Sequence, residues 1–466
     1  MKKILILHNS APGYSKYFIK LGSKLKYKGF SIIHAFSSEC EYEKSKRYIE
    51  DEYYILRAVK SNDIVNKYSH YNLNNALFSD VERATYYSTG FNWSNKNNVD
   101  LLKSSLLSFF ETIISEHKVD YVLYENVSNS FAYYSWFVCQ ELGVRYVGLI
   151  QSRLPGRFSI TSTPLCGREE LIDLFNQLKN QSIEPEPYLD EYLGKLEHTQ
   201  PDYMITNNSS QTNVFKKYRA KGVLDKTNTI FLSGFNRCIG SYQLRNYFKY
   251  FFSIFVRDVG RAVKLRRLSS YYDDFSLSET YYLYPLHFHP ESSTSVLASV
   301  YVDELNNIKN IANNLPHNAY LYVKDHPSAA GYPSMRFYHE LKKIHNVKVL
   351  DQANDTKRLI KGSLAVITVT GTTGYEALLL GKKVFVLGEV FFDFHVNVRN
   401  INNLKCLFAE LSDIELVLNG DDLDRYNYRF LYAYFKSTSE GLFNIKDINT
   451  IGTVAESLVD ALKCDV

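Results

Sequence analysis

The chain has 466 residues, of which 45% are hydrophobic and 22% charged. At about 100–200 residues per domain that length implies two or three domains, and the apolar content excludes a mainly disordered chain. Lys and Arg number 54 against 50 Asp and Glu, a formal charge of +4 that does not mark a dedicated nucleic-acid binder, while 22 Gly and 11 Pro exclude collagen-like and linker-dominated architectures.

Met1-Lys2-Lys3 and the short apolar run after it lack the length and small-residue cleavage site of a signal peptide, so Lys3–His8 reads as a first buried strand. No run approaches the ~18 uncharged apolar residues of a membrane-spanning helix. The expectation is a cytoplasmic protein, with peripheral contact at the inner face of the membrane left open. Tyr14–Lys28 reads as a helix and Ser31–Phe36 as a strand. Val119–Glu125, Phe131–Leu142 and Arg145–Ile150 continue the alternation, with shorter strands at Tyr203–Thr206 and Thr229–Gly234. Gln243–Tyr272 breaks the pattern with an aromatic, basic stretch that includes Arg257, Arg261, Lys264, Arg266 and Arg267. Alternation then resumes: strand Tyr281–Leu286, helix Val296–Asn314, strands Tyr320–Lys324, Val347–Leu350 and Leu364–Thr370, helix Thr373–Leu380, strand Lys383–Leu387. Ile445–Leu462 reads as a helix packing back onto the first half. The expected division is 1–240, a connector at 241–275, 276–440, and a tail at 441–466. Strands separated by helical stretches imply βαβ units and parallel sheets, whose ligands bind beyond the carboxyl ends of the strands. The six cysteines contain no C-x-x-C pair and read as buried or exposed thiols.

Candidate chemistry follows the strands. Where the strand Leu364–Thr370 ends come Thr370, Gly371, Thr372 and Thr373, then a helix: hydroxyls and backbone N–H groups at a helix N-terminus make an anion site. Glu376, read in the first turn, either favours the helix dipole or accepts from ribose hydroxyls. In Leu321–Pro327, Pro327 restricts His326 to extended geometry, and Lys324 two residues back shares its face, so both can donate to a phosphate; an ordinary turn is the plainer alternative. His287 and His289 also share a face, but without a third ligand nearby they do not make a zinc site. With Glu291 they form either a polar loop at the ligand edge or a loop feeding Ser/Thr caps. In Tyr124-Glu125-Asn126 a carboxylate at a strand exit suits a general base or a nucleophile, or serves as a solvated cap. Asn9 and Ser10 follow the first strand without a G-x-G-x-x-G fingerprint.

The series YPLHFHPESSTS, YLYVKDHP and VITVTGTTGYEALLLGKKVFVLG, in that order, resembles the bacterial capsular and lipopolysaccharide biosynthesis glycosyltransferases, which include capsule-synthesis proteins and β-Kdo transferases. The likeness covers roughly residues 280–400 and is looser over YENVSNSF and GLIQSRLPGRFSI. Where family members often carry Pro-His after Glu-Asn-x, this chain has Ser128-Asn129. The resemblance implies a GT-B-like α/β fold of two Rossmann-like domains facing each other across a cleft. It implies a CMP-activated acidic sugar such as Kdo as donor, a glycan or lipid-linked glycan acceptor, no cofactor and no metal. It places His326, Pro327, Thr370–Thr373 and Glu376 at the donor, with Lys324, His289 and Glu291 beside them. Glu125 would be the catalytic carboxylate, as base or nucleophile, and His326 with Lys324 would assist departure of the nucleotide, with Asn9, Ser10 and Asn126 on the acceptor side. Rivals are a teichoic-acid-type polyol-phosphate transferase, a nucleotide-sugar epimerase, and a non-catalytic glycan-binding subunit.

Overall fold

The computed structural model describes residues 1–164, 167–199 and 241–463, with isolated residues at 202, 218, 222–224, 226–227 and 230. The expected strand at 203–206 lies outside these, as does 229–234 apart from Ile230. The chain forms two compact units: Met1–Gly167 with Phe215–Val256 and Thr438–Val466, and Arg168–Val214 with Arg257–Ser437. Residues 168–199, expected in the first domain, thus group with the second.

The first unit holds a seven-stranded sheet built from β1 (Lys3–His8), β2 (Ser31–Phe36), β3 (Glu52–Ile55), β4 (Tyr121–Glu125), β5 (Arg145–Gln151), β6 (Arg157–Thr161) and β13 (Ser439–Glu440). β1 to β5 are parallel in the order 3-2-1-4-5, and β6 and β13 close one edge antiparallel. The central strands are continuously apolar because helices cover both faces. The second unit holds six parallel strands: β7 (Tyr281–Pro285), β8 (Tyr320–Lys324), β9 (Val347–Leu350), β10 (Ala365–Thr368), β11 (Lys383–Val386) and β12 (Val398–Asn400). Their order, β9-β8-β7-β10-β11-β12, is the doubly wound 3-2-1-4-5-6 arrangement. Both units are therefore Rossmann-like, as the alternation predicts.

Three local features depart from the sequence reading. The helix expected over 296–314 begins only at Glu304, because the Asp303 side chain caps it by accepting from the Asn306 N–H at 3.1 Å; α1 is Glu304–Asn313. The basic stretch is one 22-residue helix, α2 (Tyr247–Leu268). Cys40 is disulfide-bonded, so the reading of the cysteines as thiols fails there; Cys139 and Cys406 are free. Among the described residues no helix is long and apolar enough to cross a membrane.

The tail completes the first unit. The Arg157 guanidinium donates to the Thr438 hydroxyl at 2.6 Å, and the Gln151 amide donates to the Phe443 carbonyl at 2.6 Å. The final helix, Ile451–Lys463, buries Val454, Leu458 and Leu462 in the same core as β1 and β4. Leu458→Ala should lower the stability of the first unit by about 2–5 kcal/mol, read by chemical denaturation, since it leaves a cavity in a fully buried site. A loss under about 0.5 kcal/mol, the size of an ordinary surface change, would remove the tail from this core.

Candidate functional site

In a 3-2-1-4-5-6 sheet the strand order reverses between the first and fourth strands, and the crevice at their carboxyl ends is where ligands bind. In the second unit that point lies between β7 and β10, and polar side chains converge there. Glu304, at the start of α1, is 9% exposed. Its Oε1 accepts from the His287 backbone N–H at 3.0 Å and meets His287 Nδ1 at 2.9 Å, while Oε2 accepts from the Tyr284 hydroxyl at 2.5 Å. His289 Nε2 lies 3.5 Å from the same carboxylate. Burial pushes the Glu304 carboxyl up, but the His287 charge and the hydrogen bonds from His287, His289 and Tyr284 reverse this and hold it at about 2.

The far side of the His287 ring reaches the end of β10: Nε2 lies 3.3 Å from Thr368 Oγ1 and 3.4 Å from the Thr370 backbone N. Thr368 Oγ1 also accepts from the Gly371 N–H at 2.8 Å. A β-carbon on Gly371 would sit 2.7 Å from Thr368 Oγ1 and 3.3 Å from His287 Nε2, so this close approach requires glycine. Gly371 then caps α3 (Thr372–Leu379) without a side-chain hydrogen bond, and the buried Thr370 hydroxyl has no hydrogen-bond partner among the described residues. Thr372 and Thr373 form the first turn. Glu376 does not, contrary to the sequence reading: the helix starts at Thr372, so Glu376 falls in the second turn. The N-terminal N–H groups are therefore not screened by an acid of their own first turn. Glu291 is exposed, and its carbonyl caps the short turn Ser292–Ser295 by accepting from Ser295 Oγ at 2.8 Å.

At the end of β8, Lys324 is buried and donates to the Gln352 carbonyl at 2.9 Å. Burial pulls its ammonium down to about 8, against the pull of Asp325, Asp351 and Asp355. Asp325, missed as a site residue, sets the position of its neighbour. Its Oδ2 accepts from the Tyr272 and Tyr338 hydroxyls at 2.9 and 2.8 Å, and its Oδ1 from the His326 backbone N–H at 2.8 Å. His326 Nδ1 accepts from the Ser328 N–H at 3.1 Å, which leaves the neutral ring's proton on Nε2. Burial, then the His287 and Lys324 charges, lower His326 to about 4. Pro327 begins a turn in which the Ala329 and Ala330 N–H groups bond the His326 carbonyl at 3.0 and 2.9 Å. α2 holds this turn. Arg261 Nε donates to the Ala330 carbonyl at 2.8 Å, Lys264 to the Tyr332 and Pro333 carbonyls at 3.0 and 2.9 Å, and the Arg257 and Arg261 guanidinium groups stack over the Tyr332 ring. Among the described residues no group of three His, Cys, Asp or Glu side chains is placed to hold a metal ion.

In the first unit the reversal falls between β1 and β4, where Asn9 and Glu125 stand. The Tyr124 hydroxyl donates to Asn9 Oδ1 at 2.8 Å, and the Ser10 N–H donates to Gln243 Oε1 at 3.3 Å. Glu125 is not a solvated cap. It is buried, accepts from Ser128 Oγ at 2.5 Å, and also hydrogen-bonds Tyr14. Burial raises its carboxyl above the ordinary range, opposed by Ser128, Tyr14 and Arg83. The Asn126 N–H is taken by the Leu149 carbonyl at 3.0 Å. Sequence reading also missed a buried histidine pair: His8 Nε2 meets His34 Nδ1 at 2.8 Å, and His34 Nε2 lies 3.9 Å from Asp51. Only the β1–β2 register, pairing Ile6 with His34 and His8 with Phe36, brings the two rings together.

Residues 189–396 match the family model described as capsule polysaccharide biosynthesis protein. That span includes every strand-end motif of the second sheet. Protein FixF of Sinorhizobium fredii is 37% identical over 82 residues, which are 18% of this chain and 20% of that protein, so the match spans about a fifth of that relative's length. A solved structure titled Thermosulfurimonas dismutans KpsC, beta Kdo 2,7 transferase, is 15% identical with a TM-score of 0.35, covering 76% of this chain and 89% of that one. A second, titled beta Kdo 2,4 transferase from the same organism, is 16% identical with a TM-score of 0.33, covering 67% and 87%.

The pH dependence of the second unit follows from two of these groups. His326 is held near 4 against an ordinary 6.5, so the unfolded chain takes up its proton first and stability falls as pH drops from about 6.5 to 4. Glu304 is held near 2 against 4.5, so its contribution is present above the ordinary carboxylate range and is lost as pH falls toward 2. His326→Gln should remove about 1–3 kcal/mol of the stability lost between pH 7 and 4, measured by denaturant unfolding against the parent chain. Parallel pH profiles for the two proteins would show that His326 is not kept neutral by the fold.

Proposed function

We propose that this chain, whose residues 189–396 match the family model described as capsule polysaccharide biosynthesis protein, is a glycosyltransferase of surface polysaccharide synthesis. It transfers a Kdo-like sugar from a CMP-activated donor to a glycan acceptor without a metal ion. The observation that carries the reading is the β7/β10 switch point. There, Glu304 and His287 lock the Thr368–Gly371 turn, leaving an uncapped helix N-terminus and an unpartnered Thr370 hydroxyl at the place where a doubly wound sheet binds nucleotides. These groups would take the donor phosphate and nucleotide, with Thr372 and Thr373 in the same turn and Glu376 toward the ribose.

In transfer, the bond from the anomeric carbon to the phosphate oxygen breaks and the nucleotide leaves with the electron pair. His326 presents Nε2–H to that oxygen through neutral pH, because its other nitrogen is already an acceptor. Lys324 supplies buried positive charge beside it, with one of its three donors committed to Gln352. Pro327, His289 and Glu291 shape the donor loops. Glu125 takes the proton of the acceptor hydroxyl: a buried carboxyl with a raised proton affinity is better matched to that step near neutral pH than an exposed one. Asn9, Ser10 and Asn126 are assigned to the acceptor.

The test is nucleotide release from CMP-Kdo, CMP-sialic acid, UDP-sugars and CDP-polyols, with and without EDTA. Release from CMP-sugars that survives EDTA is expected. Release from UDP-sugars alone, or loss with EDTA restored by a divalent ion, would sink the donor and metal assignments respectively. Glu125→Gln should lower turnover by about 10²–10⁴-fold at unchanged donor affinity. His326→Ala should weaken donor binding about tenfold or more. No turnover with any donor would favour a glycan-binding subunit.

A further inference from the structure

α2 is apolar on its solvent side as well as on the side that packs inward, where Tyr247 and Leu268 join hydrophobic cores. Its buried side carries Tyr247, Asp258, Arg261 and Leu268. Its solvent side carries Phe248, Phe252, Phe255, Val256, Val259 and Val263, with Phe252 59% and Phe248 54% exposed. At about 100° per residue these six fall within one arc of roughly 100° along four turns. Phe248 and Phe252 stack with ring centroids 6.5 Å apart, and Phe255 remains 43% exposed with the Tyr218 ring edge-on to it at 5.3 Å.

The exposed charge of the helix itself has one sign. Lys249 and Arg267 are exposed along one border, and Arg266 is exposed at its C-terminal end. The helix's one acid, Asp258, is 1% exposed on the opposite side. Arg257, Arg261 and Lys264 are engaged with residues 330–333, so they leave Lys249, Arg266 and Arg267 as the cations that border the apolar face. An apolar face rimmed by cations, on a helix too charged to span a bilayer, is the pattern of a helix lying in a membrane interface. A second copy of the chain would instead bring the same cations together across a self-complementary contact.

We propose that α2 is a membrane-docking helix, whose Phe/Val stripe enters the acyl boundary of an anionic bilayer while Lys249, Arg266 and Arg267 meet lipid headgroups. The proposal does not depend on the donor or the reaction, because vesicle binding needs neither.

The test uses the full chain with vesicles of phosphatidylcholine alone or mixed with phosphatidylglycerol, read by flotation. The expected result is binding to the mixed vesicles, weakened but not abolished by high salt. Phe252→Glu with Val256→Glu changes only exposed positions and should cut the bound fraction about tenfold or more at an unchanged melting temperature. Lys249→Gln with Arg267→Gln should reduce the salt-sensitive part only. Absence of binding to the mixed vesicles, or equal binding by the Glu variant, would overturn the proposal. A concentration-dependent dimer that the Glu variant dissolves, without vesicle binding, would assign the face to a second copy.

Discussion

The geometry of the second unit's switch point depends on one buried carboxylate. Glu304 reaches the loop after β7 through His287 and the last residues of β7 through Tyr284. Through the His287 ring it also reaches the turn after β10. Three acceptor contacts on a group with almost no solvent access repay its desolvation only while all are made. Removing any one leaves either a buried charge or a loose turn. The turn in question carries Gly371 and Thr370, so the fold's polar anchor and the candidate anion site are one connected network. A second carboxylate, Asp325, does the same work one strand over by holding the His326 backbone with two tyrosine hydroxyls behind it.

The first unit handles its switch point differently. There Ser128 pairs with Glu125, Tyr124 with Asn9 Oδ1 and the Ser10 N–H with Gln243, while Asn9 Nδ2 and Ser10 Oγ are buried without a hydrogen-bond partner among the described residues. Burial raises the proton affinity of Glu125 there, whereas in the second unit the His287 charge and hydrogen bonds hold the equally buried Glu304 low. Buried neutral histidines repeat the theme. His8 and His34 are both lowered by burial, His34 to about 4, so the edge between β1 and β2 carries imidazole hydrogen bonding without cationic charge near neutral pH.

Much of this was legible in the sequence because it rests on local signals. Strands such as Lys3–His8 and Tyr320–Lys324 are apolar runs bounded by turns, and the Thr/Gly segment after β10 announces itself by composition. What sequence could not supply was pairing. β3, β6, β12 and β13 were missed because they are short strands at or next to a sheet edge, half-exposed at several positions, so pairing rather than a buried apolar run defines them. Glu304 and Asp325 were missed for the same reason: each matters through partners 17, or 13 and 53, residues away. Glu376 was misplaced by a single turn because a Gly cap carries no side-chain signal for where α3 begins.

The near-neutral charge of the whole chain conceals a division of labour that only contacts reveal. The basic stretch 257–267 looks uniform as a sequence, yet Arg257, Arg261 and Lys264 face inward and clasp the turn that follows His326, while Arg266 and Arg267 face water. Inward guanidinium groups on backbone carbonyls are desolvated and directional, so they set the path of residues 330–333. Gly331, with φ of +80° and a β-carbon that would sit 3.0 Å from Leu265 and 3.1 Å from Arg261, fits that clasp as no larger residue would. The same helix therefore cannot offer all its cations to an external anion. Its outward face is left with phenylalanine and valine where a solvated helix would carry charge. A helix that packs apolar residues inward and also turns phenylalanine and valine toward solvent exposes apolar surface that folding alone does not bury. The apolar face is thus the part of α2 that the fold of either unit does not explain.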